Sequence, residues 1–429
     1  MSRIELVRGR EILDSRGRPT VEAEVALADG THSHASVPSG ASVGASEALE
    51  LRDGDASRYR GLGVLRAVAN VNQTIGPALV GLDAREQSKI DGRLLEVDGT
   101  ADKSRLGANA LLAVSLAAAR AAAVSAGVPL WRYLARERDV VLPVPMVNVV
   151  SGGLHARQNL DFQDFLIVPI GAETYSQALE LAVAVHAATA DLLAASGLST
   201  LKADEGGFGP VLQRNRDALD LLVAAIERAG LAPGDDVAIA LDVAASHFFE
   251  LDSGRYHLTS EARSLSAAEL IEMLVELVES YPLISIEDGV AEEDWDGWRS
   301  LTQGLGDSVQ LVGDDLFATN PARLRRGIEQ GVANAILVKM NQIGTLTETL
   351  AVVEQARQAG YRQIVSARSG ETEDSFLADL AVATAAGQIK IGSLAQSERL
   401  AKYNQLLRIE EELGTNARFP GREALTLVR

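Results

Sequence analysis

The chain has 429 residues, of which 47% are hydrophobic, so it is long enough for two domains and can bury a sizeable core. Its formal net charge of −19 argues against nonspecific binding to nucleic acid or to an anionic membrane surface. The absence of cysteine excludes disulfides and thiolate metal sites. The most apolar stretch, residues 111–130, contains Arg120 and is interpreted as a buried helix, not a membrane span. With no apolar signal region at the N-terminus, we expect a cytoplasmic protein.

Residues 1–138 are predicted to form a small α+β domain. Residues 20–27 alternate polar and apolar side chains, as a half-buried strand does, and the Asp29-Gly30 pair is a turn signal. A second short strand then leads to Val37, so the region begins as a hairpin, and helical patterns occupy most of the remainder. A charged run at residues 136–139 precedes Leu-Pro-Val-Pro, which cannot continue a helix, and we place the domain boundary at residue 138.

Residues 139–429 are predicted to form a TIM-like β/α barrel. Short apolar strands alternate with amphipathic helices, and repeated strand–helix units predict a parallel sheet. This number of units fits a closed barrel better than the alternative, an open doubly wound sheet. No Gly-x-Gly-x-x-Gly motif follows a strand, which weakens a dinucleotide-binding interpretation. The predicted strands are residues 145–150, 165–169, 237–241, 283–286, 310–312, 335–338, 363–365 and 388–391.

Charged residues stand at the ends of six consecutive predicted strands of this barrel. Because the strands of a β/α barrel end at its active-site face, we expect these side chains to meet. Three converging carboxylates repel one another unless a cation neutralises them, and oxygen ligands of this kind suit Mg²⁺. The structural alternative is that each acid caps the next helix, which explains one such position more easily than three in succession. The six residues are Asp242, Glu287, Asp314, Lys339, Arg368 and Lys390.

Lys339 is the candidate general base. Only six of the 40 cationic residues are lysines, so a lysine at a strand end needs a reason. Arginine is effectively never deprotonated, whereas the pKa of a lysine near Mg²⁺ and other cations can be lowered enough for it to remove a proton. The structural alternative is a pair between Lys339 and a carboxylate.

Several loop segments offer similar chemistry. Glu205 lies in Asp204-Glu-Gly-Gly207, a turn that allows close approach of the backbone to a ligand, and it is a candidate general acid. The loop from Ser39 to Gly44 could act as a lid or offer an oxygen to a metal. His155 lies on a glycine-rich loop, and Arg368-Ser369-Gly370 could hold a phosphate. The remaining histidines are interpreted as structural: His32, His34, His186, His247 and His257.

At this point the sequence closely resembles the enolase family, from about Arg10 to Leu413. The matching phrases are long and specific, which chance or a shared barrel architecture cannot supply. They are Asp14-Ser-Arg-Gly17, Val37-Pro-Ser-Gly-Ala-Ser42, Glu50-Leu-Arg-Asp-Gly54, Asp204-Glu-Gly-Gly-Phe208, Ser285-Ile-Glu-Asp-Gly289, Leu311-Val-Gly-Asp-Asp-Leu-Phe317, Asn341-Gln-Ile-Gly-Thr-Leu-Thr-Glu-Thr349, Ser369-Gly-Glu-Thr-Glu-Asp374 and Lys402-Tyr-Asn-Gln-Leu-Leu-Arg-Ile-Glu410.

The resemblance implies a magnesium enzyme that dehydrates 2-phosphoglycerate to phosphoenolpyruvate. Lys339 would remove the proton alpha to the carboxylate, and Glu205 would help hydroxide to leave. Two Mg²⁺ ions are implied, with Asp242, Glu287 and Asp314 as ligands of the first and Ser39 as the loop ligand of the second. Substrate contacts are implied for Lys390, Arg368, Ser369, Gln163, Ser39 and His155, and a catalytic role for His155 and Asp164 beside Lys339 and Glu205.

The resemblance also implies an assembly. The family forms homodimers or larger assemblies of dimers. Arg10 with Glu411, and Glu22 with Arg408, match its cross-subunit ion pairs. The expected partners are therefore a second copy of the chain and a small phosphorylated carboxylate.

Several residues depart from the family pattern. Most of these departures cluster around the substrate site, whereas the metal ligands, Lys339 and Glu205 are kept. This pattern indicates that proton abstraction is retained and that the leaving or incoming group has changed. The departures are Asp164 in place of Glu, Ala367 in place of His, Val43 in place of Thr, Ile391 in place of Thr, Gln396 in place of Arg, Ser151 in place of Asn, Ala203 in place of Gly and Arg18 in place of Asn.

Three functions are compatible with these residues. The first is an enolase that makes phosphoenolpyruvate. The second is an enzyme of the carboxyphosphonoenolpyruvate synthase type, from phosphonate and phosphinate natural-product biosynthesis, for which Ala367 would leave space for a larger co-substrate. The third is a catalytically inactive binding protein, against which the intact metal and base positions argue.

Overall fold

The computed structural model describes residues 2–40 and 46–425, so the departure at Val43 lies outside the described residues. The chain begins with a three-stranded antiparallel sheet, in the order β1-β2-β3. The predicted hairpin is confirmed as the pair β2–β3, whereas the additional strand β1 was not predicted. The outer position of β1 leaves about half of its side chains in contact with solvent, which obscures the alternation. The strands are β1 Ile4–Leu13, β2 Pro19–Leu27 and β3 His32–Ser36.

Helices cover one face of this sheet. The longest, α4, is almost entirely buried, and it packs against both β2 and β3. Its many alanines allow this close approach of helix and sheet. The helices of this part are α1 Leu65–Asn70, followed by a π-helical turn Val71–Ile75, then α2 Gly76–Leu79, α3 Gln87–Asp98, α4 Ala108–Ser125 and α5 Leu130–Ala135.

A closed barrel follows. Its strand order is β4-β5-β6-β10-β11-β12-β13-β14, with β14 pairing back to β4, and β7, β8 and β9 form a separate small sheet outside it. The eight predicted strands correspond to the eight barrel strands. The strands are β4 Val144–Ser151, β5 Asp164–Val168, β6 Ala238–Asp242, β7 Phe249–Glu250, β8 Arg255–Leu258, β9 Arg263–Leu265, β10 Leu283–Glu287, β11 Gln310–Gly313, β12 Ala335–Val338, β13 Arg362–Ser366 and β14 Gly387–Gly392.

The expectation of an entirely parallel sheet is wrong at β5. This strand runs antiparallel to both of its neighbours, β4 and β6, while the other neighbouring pairs of the barrel are parallel. The segment between β4 and β5 contains one short 3₁₀ turn, Gly153–Ala156, and no crossover helix that would return the chain to the other end of the barrel. The chain therefore reverses direction at this point.

Helices surround the barrel in the positions that the sequence pattern predicts. The helix predicted at residues 266–280 is confirmed as α8, which is capped by Ser266 and Glu269 in a reciprocal capping box. The helices are α6 Tyr175–Ala195, α7 Asn215–Arg228, α8 Ala267–Ser280, α9 Trp295–Leu305, α10 Pro321–Gln330, α11 Met340–Ile343, α12 Leu346–Gln358, α13 Phe376–Ala383 and α14 Ser397–Leu413.

Within the described residues, two helices are long and apolar enough, by length and composition alone, to cross a membrane. In α4, 83% of the apolar window is buried inside the protein, and in α6 33% is buried. A buried core helix passes the same test, and α4 occupies such a position. The helix α6 packs against α7 and β4.

Two helical glycines of the barrel provide a test of its packing. A Cβ atom at Gly327 in α10 would lie 2.4 Å from Cε1 of Phe317, whereas one at Gly304 in α9 would meet no atom within 4 Å. We expect Gly327→Ala to lower the free energy of unfolding by about 1–3 kcal/mol, because the buried Phe317 ring must move. Gly304→Ala should raise it by about 0.5 kcal/mol. Denaturant unfolding of both variants measures this, and equal effects would contradict the packing described.

Candidate active site

Alternation along the barrel strands directs the predicted site residues inward. In β6, Ala238 and Ala240 fill the barrel interior, and Asp242 follows them on the same face. Lys339 likewise stands two positions after Leu337, an interior residue of β12. The other strand-end residues that follow buried interior side chains at this spacing are Glu287, Asp314, Arg368 and Lys390.

Two lysines neutralise the carboxylates at this end of the barrel. Lys390 Nζ donates hydrogen bonds to Asp242 Oδ2 at 2.8 Å and to both carboxylate oxygens of Glu287 at 2.8 and 2.9 Å. Lys339 Nζ forms an ion pair with Asp314. Burial raises the pKa of Glu287 well above its usual value, and Asp242 adds to this. Burial alone would lower the pKa of Lys390, but the two carboxylates raise it well above its usual value.

The pKa of Lys339 lies above its usual value, opposite to the direction that a base requires. Burial is the largest single influence and lowers this pKa, but Asp314 and, to a smaller extent, Glu287 raise it, and together the raising influences prevail. The lowering expected from neighbouring cations is therefore outweighed by the nearby carboxylates. The ion pair between Lys339 and Asp314 thus bears on both interpretations of Lys339. It is the Lys–carboxylate pair of the structural alternative, and it also raises the pKa of the proposed base.

His155 lies between two carboxylates on the other side of the cavity. Its Nδ1 is 2.9 Å from Asp164 Oδ2, and its Nε2 is 3.7 Å from Glu205 Oε1. Burial would lower the pKa of His155, but the charges of Asp164 and Glu205 raise it to about 9. Burial would raise the pKa of Glu205, but His155 and more distant cations lower it below its usual value. At neutral pH the imidazole of His155 is therefore protonated, and its positive charge lies between the carboxyl groups of Asp164 and Glu205.

Arg368 and Ser369 are both held by residues of the N-terminal part. Arg368 Nη1 donates to Glu47 Oε2 at 2.9 Å and to Asn341 Oδ1 at 3.2 Å. Ser369 Oγ accepts a hydrogen bond of 3.2 Å from Arg16 Nη1. The N-terminal part thus fixes the side chains that were predicted to bind phosphate.

Ser39 is close to these residues, but its hydroxyl is directed elsewhere. Its backbone pairs with that of Gly370 through hydrogen bonds of 2.8 and 2.9 Å. Its Oγ donates to Glu50 Oε2 at 3.0 Å and accepts from Arg52 Nη2 at 2.8 Å. The structure therefore brings the Ser39 backbone to the edge of the site, with its side chain outside the residues that line the cavity.

The cavity at the centre of this arrangement brings together most of the predicted residues and some that were not predicted. It includes His247, which was interpreted as structural, and the acids Asp288 and Asp315 next to two predicted ligands. In the sequence, the only feature that indicated Asp288 and Asp315 as site residues is that each directly follows another acid at the end of a strand. The lining residues are His155, Gln163, Glu205, Asp242, Ala244, His247, Asp288, Asp314, Asp315, Lys339, Ser366, Ala367, Arg368, Ser369, Lys390 and Ile391.

Asp288 and Asp315 have distinct roles within this acidic group. Asp288 accepts the backbone N–H groups of Asp314 and Asp315 at 3.1 and 2.8 Å, so it holds the turn after β11. Burial and the neighbouring Asp314 raise the pKa of Asp315 to about 7. The turn thus concentrates negative charge at the place where a cation would be bound.

The acids at this end of the barrel can hold a metal ion. Their donor set consists of oxygens, which hard divalent cations prefer, and their raised pKa values show that the group needs positive charge. Among the described residues, two groups of three have ligand atoms within 4.8 Å of one another: His155, Asp164 and Glu205, and Asp288, Asp314 and Asp315. Neither group includes Asp242 or Glu287, whose carboxylates both form ion pairs with Lys390.

Comparisons with known proteins agree over nearly the whole chain. Residues 4–134 match the family model described as the enolase N-terminal domain, and residues 139–428 match that of the enolase C-terminal TIM barrel domain. A curated relative named enolase, from Acidothermus cellulolyticus, is 59% identical over 421 residues. The match covers 98% of this chain and 97% of that protein.

Replacement of the shared lysine tests the charge balance of the site. We expect Lys390→Met to lower the free energy of unfolding by about 3–5 kcal/mol at neutral pH, because it leaves Asp242 and Glu287 buried without their cation. The control is Lys89→Met, whose side chain is 67% exposed in a surface pair with Glu86 and should change stability by less than about 1 kcal/mol. Denaturant titration compares the two variants, and similar midpoints would contradict the proposed charge balance.

Proposed function

Because the chain belongs to the enolase family, we propose that it is a hydro-lyase that converts 2-phosphoglycerate to phosphoenolpyruvate. The observation that supports this best is the pairing of two proton-transfer groups across one acidic cavity. Lys339 lies on one side, at the end of β12, and Glu205 lies on the other, beside His155. Elimination of water needs a base at one carbon and an acid at the next, and this geometry offers both.

In this proposal the acidic end of the barrel would hold Mg²⁺ through Asp242, Glu287 and Asp314. Mg²⁺ would stabilise the negative charge that develops on the substrate carboxylate as the alpha proton leaves. Ser39 would supply a ligand for a second ion from the N-terminal loop. Its hydroxyl would then have to leave Glu50 and Arg52, with which it is bonded in the structure.

Lys339 accepts the alpha proton at Nζ. It can do so only while it is neutral, and its contact with Asp314 favours the charged form. Lys339 can be neutral only when Asp314 is engaged by another partner, and a bound cation would be such a partner. Asp314 would therefore have two linked roles, as a metal ligand and as the group that controls the charge of Lys339.

Glu205 acts as the acid that helps the hydroxyl group of the adjacent carbon to leave as water. Because the pKa of Glu205 lies below its usual value, Glu205 must first receive a proton, and His155 is the neighbouring source: its pKa is about 9, and its Nε2 lies 3.7 Å from Glu205 Oε1. Asp164 holds the opposite ring nitrogen of His155. The three residues act together as the acid side of the reaction.

The substrate is bound by the polar rim of the same cavity. Arg368 and Ser369 hold the phosphate through a guanidinium fork and a hydroxyl group. Lys390 and Gln163 contact the remaining polar groups of the substrate; both are already bonded to Asp242, at 2.8 and 3.0 Å. Binding and metal ligation therefore share one hydrogen-bonded network.

The two alternative functions are not favoured. The 59% identity to an enolase gives the carboxyphosphonoenolpyruvate synthase alternative no support. Ala367 does line the cavity, but this position alone does not distinguish a larger co-substrate from 2-phosphoglycerate. An inactive binding protein would not need the buried acids and lysines, whose burial is costly unless they are paired or put to use.

We further propose a cytoplasmic homodimer in which residues 1–138 and 139–429 form the two domains. A cleft of about 820 Å³ at the junction of β1, α13 and α14 is lined by Glu22, Gln405 and Glu412. Arg408 and Glu411, which match cross-subunit pairs of the family, are exposed on α14 beside this cleft. Within the chain, Arg10 pairs with Glu22 and Glu24. The cleft is therefore the surface that a second copy would occupy.

Turnover of 2-phosphoglycerate with Mg²⁺ tests the proposed reaction. We expect the wild-type protein to produce the ultraviolet absorbance of an enolpyruvate, and Lys339→Ala to lower kcat by at least 10³-fold, because the base is lost. Lys89→Ala is the matched control, since Lys89 is exposed and distant from the cavity. A folded wild-type protein that binds Mg²⁺ without turning over this substrate would exclude the proposed function.

Sedimentation velocity tests the proposed assembly. We expect the wild-type protein to sediment as a dimer and Arg408→Glu to shift it toward the monomer, because the new charge would face acidic groups across the interface. Arg325→Glu makes the same charge change on an exposed position of α10. A monomeric wild type, or equal dissociation of both variants, would contradict the proposed interface.

A further inference from the structure

The carboxylate of Asp164 is fully buried, and each of its oxygens has a defined partner. Oδ2 faces His155 Nδ1 at 2.9 Å. Oδ1 accepts hydrogen bonds from Asn148 Nδ2 at 2.5 Å and from Ser151 Oγ at 2.9 Å. The Asn148 amide also donates to Ser151 Oγ at 3.0 Å, which closes a three-membered network.

This network is a product of the reversed strand. Ser151 and Asp164 are directly opposite each other in the antiparallel ladder of β4 and β5. Asn148 lies three residues before Ser151 in β4, and all three side chains are completely buried. Rotation of the Asp164 carboxyl is therefore restricted by two donors that are fixed to the sheet.

The same two residues also contact the loop that contains Glu205. The Ser151 N–H donates to Phe208 O at 2.8 Å. A Cβ atom at Gly207 would lie 2.6 Å from Ser151 Oγ and 2.8 Å from Asn148 Oδ1, so the loop backbone packs directly on the pair. Ser151 and Asn148 therefore contact both Asp164 and the backbone that directly follows Glu205 and Gly206.

We propose that Ser151 and Asn148 are positioning residues, which set the direction of the Asp164 carboxylate and, through it, the ring of His155 that faces Glu205. Two of the departures from the family pattern, Asp164 and Ser151, meet in one hydrogen bond. A shorter carboxylate at position 164 keeps a fixed orientation because the hydroxyl of residue 151 reaches it. This inference rests on the proposed function for its kinetic consequences but not for its structural ones.

A kinetic cycle with Ser151→Ala, Asp164→Asn and the double variant tests whether Ser151 acts through Asp164. We expect Ser151→Ala to lower kcat about tenfold and to change KM less than twofold. In the Asp164→Asn background, the same change should cause no further loss of kcat. An independent, multiplied loss in the double variant, or an unchanged kcat of Ser151→Ala, would overturn the proposal.

A control variant and a substitute for Ser151→Ala distinguish a loss of side-chain positioning from a loss of protein stability. Ser115 is another fully buried serine with a bonded hydroxyl, which accepts from Leu346 N at 3.0 Å and lies outside the cavity. Ser115→Ala should lower the thermal midpoint without changing kcat. If Ser151→Ala does not fold, Ser151→Cys replaces it with a weaker donor of similar shape, with the same expectations.

A spectroscopic measurement without substrate keeps this inference distinct from the proposed function. The chain has six histidines, so ¹⁵N-labelled imidazole spectra are simple, and His155→Gln identifies the His155 signals by their loss. At one fixed pH, Ser151→Ala should shift the His155 Nδ1 resonance and leave the other five unchanged. An unmoved His155 signal would overturn the proposal even if turnover is normal. A moved signal without wild-type turnover would contradict only the proposed reaction.

Discussion

The burial of several like-charged carboxylates at one end of the barrel is the constraint on which the rest of the site depends. Asp242, Glu287 and Asp314 cannot all remain charged in this position without cations, because they are removed from water and repel one another. Lys390 and Lys339 satisfy this requirement in the structure. The same electrostatic demand makes the site suitable for a divalent cation and prevents its lysines from being replaced freely.

Strand alternation explains why much of this site could be predicted from the sequence. Asp242, Glu287 and Asp314 each stand two positions after a buried residue that points into the barrel. A charge at this spacing, at the end of an apolar run, therefore indicates an inward position. Asp164 gives no such signal, because it stands at the start of β5. Only the reversal of β5 brings this strand's beginning to the end of the barrel where its neighbours finish. A pattern of strands and helices does not encode that reversal directly.

The part of the site contributed by the N-terminal domain was also beyond pattern analysis. Glu47 binds Arg368 and Arg16 binds Ser369, across more than 300 residues of sequence. The sequence indicated only the loop that begins at Ser39, and the resemblance to a family pointed to the hydroxyl of Ser39 itself. In the structure, the backbone of Ser39 makes the contact with Gly370. Pairings between remote polar residues depend on how two domains pack, which local propensity does not determine.

The departures from the family pattern are easier to understand as contacts than as single substitutions. Ser151 and Asp164 are bonded to each other. Ala367 and Ile391 line the same cavity from the ends of adjacent strands. Substitutions that meet in pairs are expected when one site is repacked around retained acids and bases, since a change on one side alters the space or the hydrogen bonds on the other. A change of substrate is therefore not needed to explain why they cluster.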